Sequence, residues 1–158
     1  MNLKPVLNFY GSNDFLCTAN IVTGFNNLAI FMVQKTNNIG NGIALNLIDS
    51  SQAIYLPWLN GGGYTFGTGN ISTNLSTNRR LVSLYSNNTT GFINFNAVAG
   101  GSLANGTIGW SSGHIIGSYN GSFLFNNVSY QELIIYTTNQ TSNISGIEFN
   151  INNYYNIY

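Results

Sequence analysis

The chain has 158 residues, of which only 5% are charged, whereas ordinary soluble domains are about 25% charged. Its four Lys and Arg balance its four Asp and Glu, so it lacks the clustered basic face that nucleic acid requires. Asn takes the place of charge, which predicts a surface rich in amides and hydroxyls.

Hydrophobic residues make up 44% of the chain, which is enough to form one packed core. No apolar run approaches the ~20 residues of a membrane span, so we expect no membrane insertion. The first residues lead directly into a strand-like run, and we therefore expect no signal peptide. Because Cys17 is the only cysteine, we expect no intrachain disulfide and a buried, inert thiol.

Short apolar or alternating segments, separated by Gly, Asn and Ser, predict a series of β-strands. The run 28–35 is apolar on both faces, so we expect a central strand that is covered on both sides. Pro57 should end its strand or place it at an edge. Segments 61–63 and 67–78 are predicted as loops. In chain order, the predicted strands are 6–10, 14–18, 28–35, 43–48, 53–56, 80–86, 91–98, 107–110, 114–119, 122–125 and 128–137.

The C-terminal segment follows a helical period instead. Ile and Tyr recur at spacings of three and four residues between Ile144 and Tyr158, which is the pattern of one helical face. Ser145 and Glu148 have the spacing of a capping box, so we expect a helix that begins near residues 142–145. An Asn-rich helix has low intrinsic propensity, so it must dock on the sheet to be stable.

These elements predict an all-β fold, a two-sheet antiparallel jelly-roll β-sandwich with one short C-terminal helix. The connections are too short for parallel crossovers, which indicates antiparallel pairing. Residues 1–158 show no boundary or internal repeat and are predicted to form a single domain.

Several segments together resemble concanavalin A-like, laminin-G-like jelly-roll domains. They are FYGSNDFL at 9–16, the strand at 28–35, IGSY at 116–119, FLFN at 123–126, YQELIIY at 130–136 and the closing helix at 145–155. The resemblance covers nearly the whole chain and implies two curved antiparallel sheets. It leaves the activity open, because this fold carries lectins, glycan-binding modules, glycosidases and assembly proteins. The Asn-rich composition is similar to that of such domains in phage and bacterial surface proteins.

The titratable residues are too scarce and scattered to predict catalysis. A glycosidase needs two carboxylates that flank the bond, and no acidic pair falls at strand spacing. His114 is the only histidine and lies in no motif of a catalytic triad or zinc site. We therefore predict a non-enzyme that needs no cofactor. Calcium is the one ion left open, with Asp14 and Asp49 as weak candidate ligands that are better explained as turn residues.

Glu132 is predicted to share a strand face with Val128 and Tyr130, where an unpaired carboxylate would be costly. We expect Arg79 or Arg80 to be its partner, because a guanidinium can bind a half-buried carboxylate through two hydrogen bonds. The alternative is a solvent-facing Glu132 on an amphipathic strand.

Aromatic residues beside flexible loops are the candidates for carbohydrate binding. Trp58 and Tyr64 flank the glycines at 61–63, and Trp110 precedes two serines. A sugar site needs an aromatic platform with amide or hydroxyl partners, and these segments supply both. The alternative is ordinary packing at the rim of the sandwich, which we favour.

The composition favours a structural or interaction module, and we favour a virion component such as a fibre or capsid decoration protein. Few charges are available to protect edge strands, so we predict a homo-oligomer or a part of a larger virion or surface assembly. The alternative is a lectin-like module that binds glycans in adhesion, and a glycoside hydrolase is a third hypothesis. These functions place the protein on a virion, outside the cell or at the cell surface.

Overall fold

The computed structural model describes residues 4–18, 27–37, 45–48, 53–58, 63–66, 69–72, 76–87, 89–104, 114–118, 125 and 127–158. Within these ranges the chain is mostly β-structure and ends in one helix, as predicted. The elements are β1 (Leu7–Tyr10), β2 (Leu16–Thr18), β3 (Ala29–Thr36), β4 (Leu45–Ile48), β5 (Ala53–Trp58), β6 (Gly63–Phe66), β7 (Gly69–Ser72), β8 (Arg80–Ser86), β9 (Thr90–Phe95), β10 (Val98–Ala104), β11 (His114–Ile116), β12 (Asn127–Tyr136) and α1 (Ile144–Tyr155).

The strands form two sheets in which neighbouring strands are antiparallel. The first sheet has the order β1-β12-β3-β8-β9-β10, and the second has the order β2-β11-β4-β5-β6-β7. Consecutive strands β1 and β2 therefore lie at the edges of different sheets, which is the arrangement of a sandwich whose chain passes between its layers. The predicted antiparallel two-sheet β-sandwich with a C-terminal helix is confirmed.

Strand β3 is buried on both faces, as its continuous apolar run predicts. Ile30 and Met32 belong to the core between the sheets, whereas Phe31 and Val33 belong to a second core under the helix, and all four are 0% exposed. A central strand that is covered on both sides needs no polar face. The core between the sheets consists of Phe9, Leu28, Ile30, Met32, Val82, Leu84, Ile93, Ile116, Val128 and Tyr130.

Helix α1 packs on the outer face of the first sheet. Its buried stripe recurs every three or four residues, as the pattern of Ile and Tyr predicts. Within the described residues no helix is long and apolar enough to cross a bilayer. The core under the helix consists of Ala29, Phe31, Val33, Leu81, Ile144, Ile151 and Tyr155.

The predicted capping box is wrong. The N-cap of α1 is Asn143, whose side chain makes no capping hydrogen bond, and Ser145 lies inside the first turn. Glu148 follows Ile144 by four residues, so it lies on the buried face of the helix and is only 2% exposed. Its Oε1 accepts a hydrogen bond of 3.0 Å from Asn94 Nδ2 on the sheet. The carboxylate therefore fastens the helix to the sheet instead of capping the helix.

Some predicted strand boundaries are also wrong. Strand β5 continues through Pro57, where an irregularity in the β5–β6 pairing between Tyr55 and Trp58 accommodates a residue without an N–H group. Strand β7 lies inside the predicted loop 67–78. The predicted strand at 107–110 lies outside the described residues.

The predicted strand 91–98 ends early, because its last residues form a hairpin turn and the start of the next strand. Strand β9 ends at Phe95, and Asn96 and Ala97 form a two-residue turn with φ of 51° and 61° before β10. Both residues adopt the left-handed conformation that a type I′ turn requires. The sequence signal was weak because Ala replaces the Gly that usually follows Asn in this turn.

A row of polar side chains is buried between the sheets at one end of the first sheet. Gln34 is directly opposite Arg80 on β8 and Tyr130 on β12, so the three side chains share a face. Gln34 is 1% exposed, and neither Nε2 nor Oε1 of its amide has a hydrogen-bond partner among the described residues. A buried amide without partners lowers the stability of a fold.

The hydroxyl of Tyr155 joins α1 to β12. It lies 2.9 Å from both the carbonyl oxygen of Gln131 and Oε2 of Glu132. Burial, followed by the hydrogen bond to Glu132, raises the pKa of Tyr155 to about 12. Burial and the nearby charge of Glu148 also raise the pKa values of Tyr85 and Tyr158. The folded state therefore favours the neutral form of these three tyrosines.

We predict that Gln34→Met raises the free energy of unfolding by about 1 kcal/mol, because Met has a similar volume and removes an unpaired buried amide. Urea denaturation followed by tryptophan fluorescence measures the change. Gln140→Met is the matched control, since the amide of Gln140 is hydrogen-bonded to Thr138 and Asn143. The control should bring no gain, and a loss of stability in Gln34→Met would contradict the prediction.

We predict that the free energy of unfolding falls as the pH rises from about 10 to about 12. An unfolded tyrosine ionises near pH 10, whereas Tyr155 in the fold keeps its proton up to about pH 12. The unfolded state thus binds fewer protons in this window, and stability present below pH 10 is lost. Tyr155→Phe should make the fall shallower in denaturation curves taken at several pH values. Tyr10→Phe, at a side chain that is 72% exposed, is the control, and an unchanged pH dependence in Tyr155→Phe would refute the assignment.

Candidate functional site

An open polar pocket lies on the helix-facing side of the first sheet, beside the C-terminal end of α1. Its volume is about 260 Å³. Lys35 on β3 is opposite Ser129 on β12, and Ser129 is opposite Asn8 on β1, so three paired strands position its floor. We call it the Lys35–Arg79 pocket. Its described lining consists of Val6, Lys35, Asn37, Arg79, Ser129 and Gln131, together with Gln34, which precedes Lys35 on β3 and has its side chain between the sheets.

A chain of hydrogen bonds fixes the amide and hydroxyl groups of the floor. Asn37 Nδ2 donates to Asn127 Oδ1 at 2.9 Å and to Ser129 Oγ at 3.0 Å. Ser129 Oγ in turn donates to Asn8 Oδ1 at 2.7 Å. These bonds orient the polar groups before any ligand arrives, which lowers the entropic cost of binding.

Arg79 joins the wall of the pocket to the end of the helix. Its Nη1 donates to Gln131 Oε1 at 3.3 Å, and its Nη2 donates to the carbonyl oxygens of Tyr155 at 3.2 Å and Asn156 at 2.9 Å. Carbonyl groups at the end of a helix carry a partial negative charge. Part of the positive charge of Arg79 is therefore already compensated within the fold.

Lys35 has no such compensation. Its side chain is exposed at the pocket, and no described residue forms an ion pair with it. The described lining contains two cations and no carboxylate. The pocket therefore combines one uncompensated positive charge with several fixed hydrogen-bonding groups.

A β-bulge at Gln131 determines the face on which Glu132 lies. Tyr130 is opposite Gln34 on the sandwich side of the sheet, whereas Glu132 is opposite Val33 on the helix side. The sequence pattern placed Glu132 and Tyr130 on one face, because strict alternation assumes an unbroken ladder. That expectation is wrong, since one inserted residue moves every following side chain to the other face.

The predicted pairing of Glu132 with Arg79 or Arg80 is wrong for the same reason. Glu132 Oε2 accepts its hydrogen bond from Tyr155, and Arg79 donates to the helix end and to Gln131. Arg80 lies on the sandwich side, where its guanidinium carbon is 4.6 Å from the centroid of the Phe95 ring. The sheet itself therefore lies between Arg80 and Glu132.

The described carboxylates each accept a hydrogen bond from a neutral donor. Asp14 Oδ2 accepts one of 3.0 Å from the backbone N–H of Tyr10, which is the local bond expected of a turn residue. Glu132 and Glu148 bind Tyr155 and Asn94. Within the described ranges no group of three or more His, Cys, Asp or Glu could hold a metal ion.

The aromatic candidates for carbohydrate binding stay predictions. Trp58 and Tyr64 lie on β5 and β6, but their side chains fall outside what the structure describes. Trp110 and the calcium candidate Asp49 lie wholly outside the described residues. His114 begins β11, and its side chain is likewise not described.

The prediction of a buried Cys17 is wrong, because the side chain is exposed. Strand β2 forms one edge of the second sheet, so it has a neighbour on one side only. The sequence pattern identified a strand here but not its place in the sheet.

Sequence reasoning missed the polar lining of the pocket. Lys35 gave a signal, because it is the one charge at the end of an otherwise apolar run. Asn37, Ser129 and Gln131 gave none, since they are ordinary in a chain so rich in amides and hydroxyls. Their convergence follows from the pairing of β3 with β12, which are distant in sequence.

No family model and no curated protein sequence matches the chain. Solved structures share its fold at low sequence identity. The binding domain of botulinum neurotoxin serotype D aligns with a TM-score of 0.60 and 11% identity, over 92% of this chain and 42% of that one. This chain therefore spans less than half of the length of that domain.

Two further structures align over most of their own length. A native heptameric SAP-like pentraxin from Limulus polyphemus has a TM-score of 0.63 and 15% identity, over 85% of this chain and 76% of the pentraxin. The galectin LEC-6 from Caenorhabditis elegans has a TM-score of 0.51 and 13% identity, over 82% of this chain and 95% of the galectin. At these identities the likeness shows a common fold, the jelly-roll β-sandwich that the sequence resemblance predicts.

Proposed function

We propose that this chain is a non-enzymatic binding module whose ligand is a saccharide held in the Lys35–Arg79 pocket. The observation that carries the proposal is the preorganised polar lining. Sugar hydroxyls both donate and accept hydrogen bonds, and the amides of Asn37 and Gln131 offer both functions. Paired core strands hold these groups, which is how binding sites keep their geometry.

The engaged carboxylates support binding in preference to hydrolysis. A glycosidase needs two carboxyl groups on either side of the bond, one of them free to donate a proton. Asp14, Glu132 and Glu148 instead serve a turn and the docking of the helix. None of them lines the pocket. A toxin binding domain and a galectin share the fold, which is consistent with a binding role outside the cell or at its surface.

We predict that the protein binds at least one class of oligosaccharide on a glycan array and that Asn37→Ala weakens this binding about fivefold to tenfold. The variant removes the acceptor Oδ1 of Asn37 and the two hydrogen bonds by which this amide orients Asn127 and Ser129. Asn153→Ala is the control, because it deletes an exposed amide on the helix outside the lining.

Two further variants separate the pocket from the aromatic candidates. Binding that is lost in Trp58→Ala or Trp110→Ala, but kept in Asn37→Ala, would move the sugar site to the loops and leave the function standing. A blank array for the unmodified protein would overturn the proposed function.

Self-association is a second candidate function, and the lateral edge formed by β1 and β2 favours it. Both strands are edge strands, one in each sheet, and residues 11–15 join them. Most of their exposed side chains are apolar, and neither strand contains a charged residue, so a second copy of the chain is the partner that fits. The apolar residues of this edge are Val6, Leu7, Tyr10, Phe15 and Leu16. The virion fibre or capsid decoration protein that the sequence predicts would be one form of such an assembly.

We predict that the protein forms a homo-oligomer at micromolar concentrations and that Leu7→Lys shifts it to monomer. A charge on β1 opposes pairing of that edge. Sedimentation velocity measures the mass of each form. Phe149→Lys is the control, since it adds the same charge at a residue of α1 that is 62% exposed. A monomeric unmodified protein would rule out this candidate.

A further inference from the structure

We infer that the Lys35–Arg79 pocket selects a saccharide that carries one carboxylate, with Lys35 as the residue that recognises the acid group. The inference rests on the proposed saccharide function and adds the class of sugar. Its first support is the placement of charge. The chain has only four Lys and Arg, and two of them line this one pocket.

The other two cations are engaged elsewhere. The ammonium of Lys4 lies 3.3 Å from the centroid of the Tyr154 ring, and Arg80 is buried against Phe95 between the sheets. The described lining of the pocket holds no acidic residue that would neutralise its cations. In so sparsely charged a protein, two cations without a carboxylate make this the positive region of the described surface.

The difference between the two cations points to a ligand with a single charge. Arg79 already donates to two carbonyl groups at the negative end of α1 and to Gln131, whereas Lys35 has no partner of opposite charge among the described residues. One uncompensated ammonium matches one carboxylate. A phosphate monoester carries nearly two charges at neutral pH, and the pocket would leave one of them unpaired.

The size of the pocket limits how much of a glycan it can hold. Its volume of about 260 Å³ lies just below the range of roughly 300–1,000 Å³ that is usual for small-molecule sites. It therefore suits one sugar residue. Ser129, Asn37 and Gln131 surround Lys35 with groups that can bind the hydroxyls of the same ring.

Isothermal titration calorimetry tests the inference with two disaccharides. One joins a single glucuronate to N-acetylglucosamine, and the other joins two N-acetylglucosamine residues. We expect the acidic disaccharide to bind about tenfold more tightly, because a charge-assisted hydrogen bond forms only with it. Lys35→Gln should abolish that preference, so that the variant binds the two sugars with similar affinity. Raising the salt concentration should also reduce the preference, since the charges are exposed.

Lys4→Gln is the matched control, because it removes the same charge outside the pocket, and it should keep the preference. Equal affinities for the two sugars would overturn the inference but leave the saccharide function intact. Failure of both sugars to bind would count against both proposals. A preference that survives in Lys35→Gln would overturn the role of Lys35. Inorganic phosphate that binds more tightly than free glucuronate would overturn the choice of a carboxylate.

Discussion

The burial of β3 on both faces is the constraint on which the structure depends. One face of this strand closes the core between the sheets, and the other would expose Phe31 and Val33 if α1 were absent. Burying each of these side chains contributes about 1.5–3 kcal/mol. An Asn-rich helix of low propensity needs such a surface to form at all. The helix and the strand therefore stabilise each other, and the hydrogen bonds of Glu148 and Tyr155 to the sheet set the position of the helix.

The bulge at Gln131 links this packing to the site. It moves Glu132 to the helix side, where the carboxylate meets Tyr155, and it leaves Gln131 within reach of Arg79 at the edge of the pocket. Arg79 in turn binds the carbonyl groups at the end of α1. One inserted residue thus coordinates the docking of the helix with the construction of the pocket, so a shift of the helix would also move a wall of the pocket.

The parts that were predictable from sequence are those that local patterns specify. The two-sided run of β3 and the helical period after Ile144 are long and periodic, and both were confirmed. The partner of Glu132 was not predictable, because it depends on one bulge in a ladder between distant strands. The pocket was not predictable from the sequence for a related reason. Its amides and hydroxyls are common in this chain and become a site only when β1, β12 and β3 pair.

The scarcity of charge changes how the pocket is interpreted. In a domain with about 25% charged residues, two neighbouring cations on the surface would be expected by chance. Here charged residues are 5% of the chain, and two of them, both cations, line one pocket. The other described charged residues each form a hydrogen bond in a turn, contact an aromatic ring or dock the helix. Under the proposed function, the amides and hydroxyls of the pocket bind a sugar through hydrogen bonds, and the ammonium of Lys35 raises the affinity for an acidic sugar above that for its neutral counterpart. Specificity is such a difference in affinity.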